Sequence, residues 1–268
     1  MDGNTLIIGD VHDKWTTIIP RLDRLRGFLQ VSRMVFLGDL TNDWTQTAGS
    51  ELREISLMER WIESARASGL TVDLLVGNHD IYYLIDETDR SPAAMNVAAF
   101  SPGHLQEWRG GVGSLIWSCS PMAATTVTMD GVQLLATHAG LTDDWAAAHD
   151  VPTTAPEAAE RINRMLKDRD WEALYQCDSL SSPLWARPDE MMARHAQGLD
   201  QIVGHTPAAT ICDGQYDDDE IIYCDTLSTD PDGTPSGDGS LLLINRKGRP
   251  SRVFPDDSII DGPVPIIE

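Results

Sequence analysis

Basic residues are scarce in this sequence of 268 residues. Lysine and arginine total 20, against 42 aspartates and glutamates, which gives a formal net charge of −22 at pH 7. A chain of this charge repels a nucleic-acid backbone and an anionic membrane, so neither is expected as a partner. A phosphate-bearing ligand would need a local source of positive charge, and bound metal ions are the first candidates.

Cysteines are few, and no two of them form a C-x-x-C pair. The four are Cys119, Cys177, Cys212 and Cys224. Zinc-ribbon and thioredoxin-type sites are therefore excluded. Free thiols are expected, and the alternative is that Cys212 and Cys224 lie close together.

Long apolar runs are also missing, and the N-terminal residues contain no basic segment followed by an apolar one. This pattern predicts a soluble, cytoplasmic protein without a signal peptide.

Short apolar runs alternate with helical patterns in the first third of the chain. Thr5–Ile8, Met34–Leu37 and Val72–Val76 predict strands. Between them, apolar residues recur at helical spacing in residues 15–25 and 55–65, and Ser50 is the expected N-cap of the second helix. Such alternation predicts parallel strands joined by right-handed crossovers.

The rest of the chain predicts further strands and a helical stretch. Residues from Thr142 to about Ala196 have helical patterns, of which Glu157–Lys167 is the clearest. We expect one domain over residues 1–268, with about 142–196 as a helical cap-like insertion over the site or, alternatively, as ordinary packing helices. The predicted strands are Leu115–Ser118, Thr125–Met129, Val132–Thr137, Gln201–Val203, Ile221–Cys224, Ser240–Ile244 and Arg252–Phe254.

Polar residues that suit metal binding follow five of the predicted strands. Each one alone has an ordinary structural explanation, since Asp and Asn are common turn and cap residues and a lone His is usually hydrogen-bonded. Their joint occurrence at the carboxyl ends of strands, which form the ligand-binding edge of a sheet, predicts one site. The motifs are Asp10-Val11-His12, Gly38-Asp39, Gly77-Asn78-His79-Asp80, His138-Ala139-Gly140 and Gly204-His205-Thr206.

The residue types in these motifs suit a pair of cations. Asp10 and His12 are separated by one residue, so both can turn toward one ion. Asp39 stands alone after its strand and can bridge two cations about 3.5–4 Å apart. A second ion would be completed by Asn78, His138 and His205. Mixed oxygen and nitrogen ligands of this kind favour manganese, iron, zinc or cobalt over calcium.

The motifs resemble those of the calcineurin-like metallophosphoesterases, most closely the phosphoprotein-phosphatase branch and its bacterial diadenosine-tetraphosphatase relatives. The resemblance spans about residues 6–244 and implies an α/β fold, a four-layer α/β/β/α sandwich with mixed central sheets and a dinuclear site. It implies that one metal takes Asp10, His12 and Asp39, and that the other takes Asp39, Asn78, His138 and His205. Manganese is the first expectation for the two divalent ions, with iron, zinc, cobalt or nickel as alternatives. A metal-bridging hydroxide would be the nucleophile and His79 the general acid.

The loop after the second strand departs from the family pattern G-D-x-x-D-R-G. Here the aspartate that usually supports the catalytic histidine is replaced by Asn42, and the phosphate-binding arginine falls on Asp43. Asp43, after a shift of the loop, or Asp80 is then expected to support His79. Arg187, in Ser182-Pro183-Leu184-Trp185-Ala186-Arg187, becomes the candidate phosphate clamp, with a surface salt bridge as its alternative role.

These observations predict a metal-dependent phosphoric ester or anhydride hydrolase. A nucleotide polyphosphate is the first expectation for its substrate. The alternatives are that the enzyme is a protein Ser/Thr phosphatase, which acts on a phosphoprotein, or a phosphodiesterase. If the protein is not an enzyme, the alternative is a binding scaffold that keeps the phosphoesterase fold without catalysis. The expected partners are a small phosphate compound or a phosphoprotein, and the sequence leaves the oligomeric state open. Trp44 and Trp185 are expected to stack on a base or aryl group or to fill packing space.

Overall fold

The computed structural model describes residues 3–266 except for 45–46, 87, 90, 93–94, 96–108, 176–180, 215, 217 and 263. No helix in these ranges has both the length and the apolar character that crossing a membrane requires. The helices in the described residues are α1 (Trp15–Phe28), α2 (Ala48–Ala67), α3 (Asn78–Leu84), α4 (Arg109–Ser118), α5 (Asp143–Ala148), α6 (Ala155–Asp168), α7 (Trp171–Leu174) and α8 (Pro188–Arg194).

Eleven strands occur in the described part of the chain. They are β1 (Asn4–Ile8), β2 (Val31–Phe36), β3 (Thr71–Leu74), β4 (Ala124–Met129), β5 (Val132–Thr137), β6 (Gln201–Val203), β7 (Cys212–Asp213), β8 (Ile221–Tyr223), β9 (Leu241–Ile244), β10 (Pro250–Val253) and β11 (Ile259–Asp261). The predicted strands agree with these within a few residues, apart from Leu115–Ser118.

The strands form two mixed sheets. One has the order β11-β10-β9-β1-β2-β3, in which β1, β2 and β3 are parallel and β9 joins β1 antiparallel. The other has the order β4-β5-β6-β8-β7, in which β5, β6 and β8 are parallel. The parallel strands of each sheet therefore end at a common edge, and the loops that follow them are brought together there.

Alternating side chains place one face of each sheet in a shared core. Ile7 and Val35 of the first sheet pack with Ile202 and Ile222 of the second, because successive side chains of a strand point to opposite faces. The outer faces are covered by α1 and α2 on the first sheet and by α6 on the second. This layering confirms the predicted four-layer α/β/β/α sandwich with mixed sheets.

The first two helices show where the sequence pattern was sufficient and where it was not. Helix α1 buries Trp15, Ile18, Leu22 and Leu25 as expected. Helix α2 begins earlier than expected, because Thr47 is the N-cap and its side chain accepts the backbone N–H of Ser50. The prediction of Ser50 as N-cap was therefore wrong by three residues.

The predicted strand Leu115–Ser118 is part of helix α4. Its buried residues Val112 and Ile116 are four apart, which is a helical spacing. The helix packs tightly on the end of α3, since a Cβ on Gly113 would lie 2.0 Å from the Tyr83 carbonyl oxygen. A short apolar run has no period of its own, so it did not distinguish a buried strand from a buried helix.

Three cysteines are free, buried thiols, as expected: Cys119, Cys212 and Cys224. Cys177 lies outside the described residues. Helix α6 packs against β4 and β5, and α8 contributes Met191 to a separate cluster on the outer face of β6 and β8. The single domain with a cap-like insertion stays a prediction.

Candidate functional site

Loops that follow five parallel or neighbouring strands meet at one edge of the sandwich. Asp10 follows β1, Asp39 follows β2, Asn78 follows β3, His138 follows β5 and His205 follows β6. Several of the residues in these loops adopt left-handed backbone conformations, with φ of +43° at His12, +45° at Asp39 and +64° at His205. Such conformations cost about 1–3 kcal/mol each outside glycine, so the surrounding contacts must hold these loops in place.

The site contains two groups of possible metal ligands that share Asp39. One group is Asp10, His12 and Asp39, and the other is Asp39, His138 and His205, with ligand atoms that lie within 4.8 Å of one another in each group. Asn78 joins the second group, since its Oδ1 lies 2.9 Å from Nε2 of His138. The structure thus brings together all six residues that the sequence proposed as ligands.

The hydrogen bonds of His138 leave one ring nitrogen without a proton. Its Nδ1 lies 2.8 Å from the carbonyl oxygen of Leu37, and a carbonyl can only accept, so this nitrogen donates. Nε2 of the neutral ring then carries a lone pair, yet it faces Oδ1 of Asn78 at 2.9 Å, which is also an acceptor. Two acceptors at this distance repel each other unless a cation lies between them. This geometry fits a metal ion.

His12 shows the same pattern on the other side of Asp39. Its Nδ1 lies 3.1 Å from the carbonyl oxygen of Thr41, and its Nε2 is 3.8 Å from Oδ2 of Asp39. Burial lowers the pKa of His12 to about 4, although Asp39 opposes this shift. A neutral imidazole oriented by a backbone carbonyl is the form in which histidine binds metals.

His205 has a buried nitrogen that also suits a cation. Its Nε2 is buried and has no hydrogen-bond partner among the described residues, while its Nδ1 lies 3.1 Å from Nε2 of His138. The backbone N–H of His205 donates to both carboxyl oxygens of Asp10, at 3.0 and 3.1 Å. This contact ties the loop after β6 to the loop after β1.

Buried acids accumulate around the two ligand groups. Burial raises the pKa of Asp10, and the carboxyls of Asp225 and Asp39 raise it further. Burial likewise raises the pKa of Asp225 to about 6. Because burial lowers the pKa of His12, His138 and His205, bound cations are the natural source of the missing positive charge.

Asp80 supports the backbone of the site. Its carboxyl accepts the N–H of Gly77 at 2.8 Å, of Leu40 at 2.9 Å and of Thr41 at 3.2 Å. It therefore joins the loop after β2 to the loop after β3. Burial, with the charge of Asp39, raises the pKa of Asp80 to about 8.

The partner of His79 is Asn42, which corrects the expectation that Asp43 or Asp80 would support it. Nδ1 of His79 lies 2.9 Å from Nδ2 of Asn42. The Asp43 carboxyl lies 3.7 Å from Nζ of Lys14, and Asp80 holds backbone N–H groups. The backbone N–H of His79 also donates to Oδ1 of Asp39 at 3.0 Å, which places the ring beside the ligand groups.

A cavity of about 220 Å³ opens over the ligand groups. Arg187 lines it and is exposed, with Nη1 at 3.4 Å from both the His205 carbonyl oxygen and the Thr206 hydroxyl. Within the described residues, no carboxylate lies in ion-pair distance of Arg187. Arg187 therefore faces the cavity without a neutralising carboxylate among the described residues, and its role as a phosphate clamp stays a prediction.

The two tryptophans have different environments. Trp185 packs edge-on against Tyr175 and His205, with ring centroids 5.4 and 5.9 Å away. Trp44 lines the cavity and remains 60% exposed. Its indole N–H donates to the Thr229 carbonyl oxygen at 2.9 Å, which holds the ring in place. Trp44 therefore offers a flat apolar face to a ligand, whereas Trp185 fills packing space.

The sequence did not identify all of the residues around the site. None of the predicted motifs includes Asp225, which lies beside Asp10, or the loop 228–236, which lines the cavity. Tyr83, which bonds Asn42, was also missed. Its position one helical turn after His79 was the available signal, since residues four apart share a helix face.

Comparison with known proteins agrees with this geometry. Residues 3–209 match the model of the calcineurin-like phosphoesterases, and no curated protein sequence matches the chain. The structure of a cold-active protein-tyrosine phosphatase from a psychrophilic Shewanella species is similar, with a TM-score of 0.59 and 18% identity over 97% of this chain and 80% of that one. A protein serine/threonine phosphatase from Saccharomyces cerevisiae is similar as well, with a TM-score of 0.52 and 15% identity over 100% of this chain and 81% of its own.

These two structures share the fold of the chain, and the family model spans most of its length, including every loop that carries a possible ligand. The two ligand groups around Asp39 consist of residues that fit metal ions. The chain therefore belongs to the calcineurin-like phosphoesterases, a family of metal-dependent phosphoester hydrolases.

Proposed function

We propose that the chain hydrolyses phosphate esters or anhydrides with two divalent metal ions, manganese in the first place. The observation that carries this proposal is the position of Asp39, a single carboxylate common to both ligand groups. A shared carboxylate relieves the repulsion between two adjacent cations. One ion would be held by Asp10, His12 and Asp39, and the other by Asp39, Asn78, His138 and His205.

Bound cations would supply Lewis acidity and lower the pKa of water, which is the chemistry that phosphoester hydrolysis requires. The residues of the chain bind and orient the substrate. Arg187 would grip phosphoryl oxygens with its guanidinium group from the rim of the cavity. His79 lines the same cavity and would present a ring N–H to the leaving oxygen.

The substrate that we propose first is a nucleotide phosphoanhydride. The motifs that resemble diadenosine tetraphosphatases support it, and the exposed ring of Trp44 offers a surface for a base. A phosphoprotein is the second candidate, because the two similar structures are described as protein phosphatases. A panel of dinucleoside polyphosphates, phosphopeptides and cyclic nucleotides, assayed with manganese, would separate these candidates. A higher kcat/KM for a phosphopeptide would reject the nucleotide.

The number of bound metals tests the dinuclear site. We expect about two manganese ions per chain after loading, and hydrolysis of p-nitrophenyl phosphate only in loaded protein. His12→Ala should lose one ion, whereas Asp39→Asn should weaken both, since both groups use its carboxylate. Elemental analysis of the dialysed protein measures the stoichiometry, and the assay is repeated with the bis-ester to separate monoesterase from diesterase activity.

Asp43→Asn is the matched control for these variants. It removes a carboxylate from the same loop as Asp39, but Asp43 belongs to neither ligand group and lies beside Lys14. Its metal content should equal that of the wild type. The dinuclear site is rejected if metal-free protein is fully active, or if Asp39→Asn binds manganese as the wild type does.

A further inference from the structure

A second, largely apolar groove opens beside the cavity over the ligand groups. It has a volume of about 380 Å³ and lies between the start of α8 and the chain near residues 265–266. Its size and its mostly apolar lining are those of a small-molecule pocket. We call it the Pro207 groove, and its main residues are Pro188, Pro207, Ala209, Cys212, Tyr223 and Ile266.

The Pro207 groove is continuous with the candidate active site. Pro207 lines both the groove and the cavity that contains the ligand groups. Arg187 lines the cavity, and the next residue, Pro188, lines the groove. The Thr206 hydroxyl, which also lines the groove, lies 3.4 Å from Nη1 of Arg187. A substrate whose phosphate lies at the ligand groups can therefore extend past Arg187 into the groove.

Backbone hydrogen bonds hold one wall of the groove in place. The N–H of Ala208 donates to the carbonyl oxygen of Asp225 at 2.7 Å. The carbonyl oxygen of Ala209 accepts the N–H of Asp238 at 2.9 Å. Ala208 also packs against the apolar cluster that contains the buried ring of Tyr223. The groove is thus formed before a ligand binds, which reduces the free energy lost to ordering on binding.

The charge of the groove differs from that of the molecule as a whole. None of the described residues that line it has a charged side chain, although the chain has a net charge of −22. Two guanidinium groups contact hydroxyls of its lining: Arg187 lies beside Thr206, and Arg252 donates to Thr210 at 3.0 Å. An uncharged ring attached to a phosphate chain therefore suits the groove better than a charged group does.

The strand beside the groove is already paired, which disfavours an extended peptide as the ligand. The N–H of Asp213 in β7 donates to the carbonyl oxygen of Pro265 at 2.8 Å, and Asp213 pairs with Ile266. Its other side pairs with β8. Peptides that bind beside a sheet gain affinity by adding a strand to a free edge. A planar ring needs only apolar faces and a few hydrogen bonds at its rim, which the prolines and the hydroxyls of Thr206 and Thr210 offer.

We propose that the Pro207 groove binds an uncharged planar ring, a nucleobase, of a substrate whose phosphates lie at the ligand groups. The inference rests on the proposed phosphoesterase function. Trp44 lines the cavity and does not line the groove, so two surfaces for a ring adjoin one phosphate site. The substrate that uses both surfaces is a polyphosphate with a nucleoside at each end.

Photoaffinity labelling locates the two rings in the full-length, manganese-loaded protein. The probe is a dinucleoside tetraphosphate with an azide on each base and with methylene groups in place of the bridging oxygens, so that it is not hydrolysed. Peptide mass spectrometry should find the label both near Trp44 and within residues 206–212 of the groove. An excess of the same analogue without azides should remove both labels. Label near Trp44 alone, or in neither place, overturns the proposal.

Ala209→Leu tests what the groove contributes to specificity. Ala209 is exposed at the groove, so a larger side chain narrows it without entering the core, and leucine cannot stack on a ring. The two substrates are a dinucleoside tetraphosphate and a nucleoside tetraphosphate with a terminal methyl ester, which has the same charge and only one ring. Wild-type kcat/KM should be about tenfold or more higher for the first, and Ala209→Leu should reduce this ratio by about threefold or more.

Ala147→Leu is the matched control. It makes the same substitution at an exposed position of α5 that lines neither the cavity nor the groove. Its ratio of kcat/KM values should equal that of the wild type. A wild-type ratio near one, or the same ratio in Ala209→Leu and Ala147→Leu, overturns the proposal.

The groove and the proposed function can fail separately. If the loaded protein hydrolyses neither substrate, the proposed function is rejected, and equilibrium binding of the methylene analogue still tests the groove. Its affinity should fall by about threefold or more in Ala209→Leu relative to Ala147→Leu, and equal affinities overturn the proposal. A groove label that a phosphopeptide displaces, and that the analogue without azides does not, assigns the groove to a peptide and overturns the proposal as well.

Discussion

Residues without any ligand atom also define the candidate metal site. Gly204 precedes His205, and a Cβ at Gly204 would lie 2.2 Å from Oδ1 of Asp10. Gly38 is similarly restricted, since it has a φ of +106° and a Cβ there would lie 2.8 Å from Nδ1 of His138. The loops can approach one another this closely only because these two positions lack side chains.

Gly204→Ala should displace Asp10 and weaken the metal group that contains it. The added methyl cannot share space with the carboxyl oxygen, so either Asp10 or the loop after β6 must move. We expect manganese affinity to fall by about tenfold or more, as is typical when the support of a ligand is lost. Isothermal titration with manganese measures this, with Gly27→Ala in open space on α1 as the control. Equal affinities of the two variants would show that Asp10 does not bind metal.

The sequence predicted which residues carry ligand atoms, but not how they are supported. Asp39 and His138 were recognisable because each follows a predicted strand within a characteristic motif. The pairing of Asn42 with His79 was not, because it depends on a backbone φ of +69° at Asn42 and on a hydroxyl from Tyr83 in another element. Contacts of this kind are set by tertiary structure, and local sequence carries little information about them.

At the scale of elements, a polar side chain anchors α6 to the second sheet. Asn163 lies on the sheet-facing side of this helix, and its Oδ1 accepts the N–H of Ala123 at 2.8 Å and of Ala124 at 3.1 Å. Its Nδ2 donates to the Ala124 carbonyl oxygen at 2.8 Å. These bonds satisfy the backbone at the start of β4, next to the apolar contacts of Ile162 and Leu166.

Asn163→Ala should destabilise the protein by about 2–4 kcal/mol. The substitution leaves two N–H groups and a carbonyl without their partner in a half-buried position, and each lost partner costs about 1–3 kcal/mol when water cannot replace it. Urea unfolding of the metal-free chain measures the change. Arg164→Ala, on the exposed side of the same helix, is the control. A loss below about 0.5 kcal/mol, equal to that of the control, would mean that water replaces Asn163.

Elements were predictable where burial produces a pattern. β1 and the second half of β2 are buried on both faces and form the continuous apolar runs typical of parallel strands, whereas β3 alternates, with Thr71 exposed and Asp73 half-buried. Helix α4 was not predicted because residues 115–118 on their own form a short, mostly apolar run that favours a strand. The helical spacing of its buried residues appears only when Val112 is included. Its place beside α3 is determined by the close contact of Gly113 with Tyr83, which no local pattern reveals.

The whole molecule is strongly acidic, and some of its acids are buried. Glu51 is fully buried on α2, away from both ligand groups, and burial raises its pKa from 4.5 to about 7. Between these two values the folded state keeps a proton that the unfolded chain releases. Stability therefore falls as the pH rises through this window, and the loss is complete above about pH 7.

Glu51→Gln should remove this part of the pH dependence. One pKa unit corresponds to about 1.4 kcal/mol, so the shift from 4.5 to about 7 corresponds to roughly 3 kcal/mol, less whatever the amide loses in polar contacts. Near pH 5 the variant and the wild type should differ little, and near pH 8 the variant should be the more stable. Urea unfolding across this range measures the difference in the free energy of unfolding. The protein is metal-free, so metal binding at the ligand groups does not contribute. Glu63→Gln removes the same charge from an exposed position of the same helix and should follow the wild-type curve. If the Glu51→Gln and wild-type curves are parallel, Glu51 is ionised in the folded protein across this range.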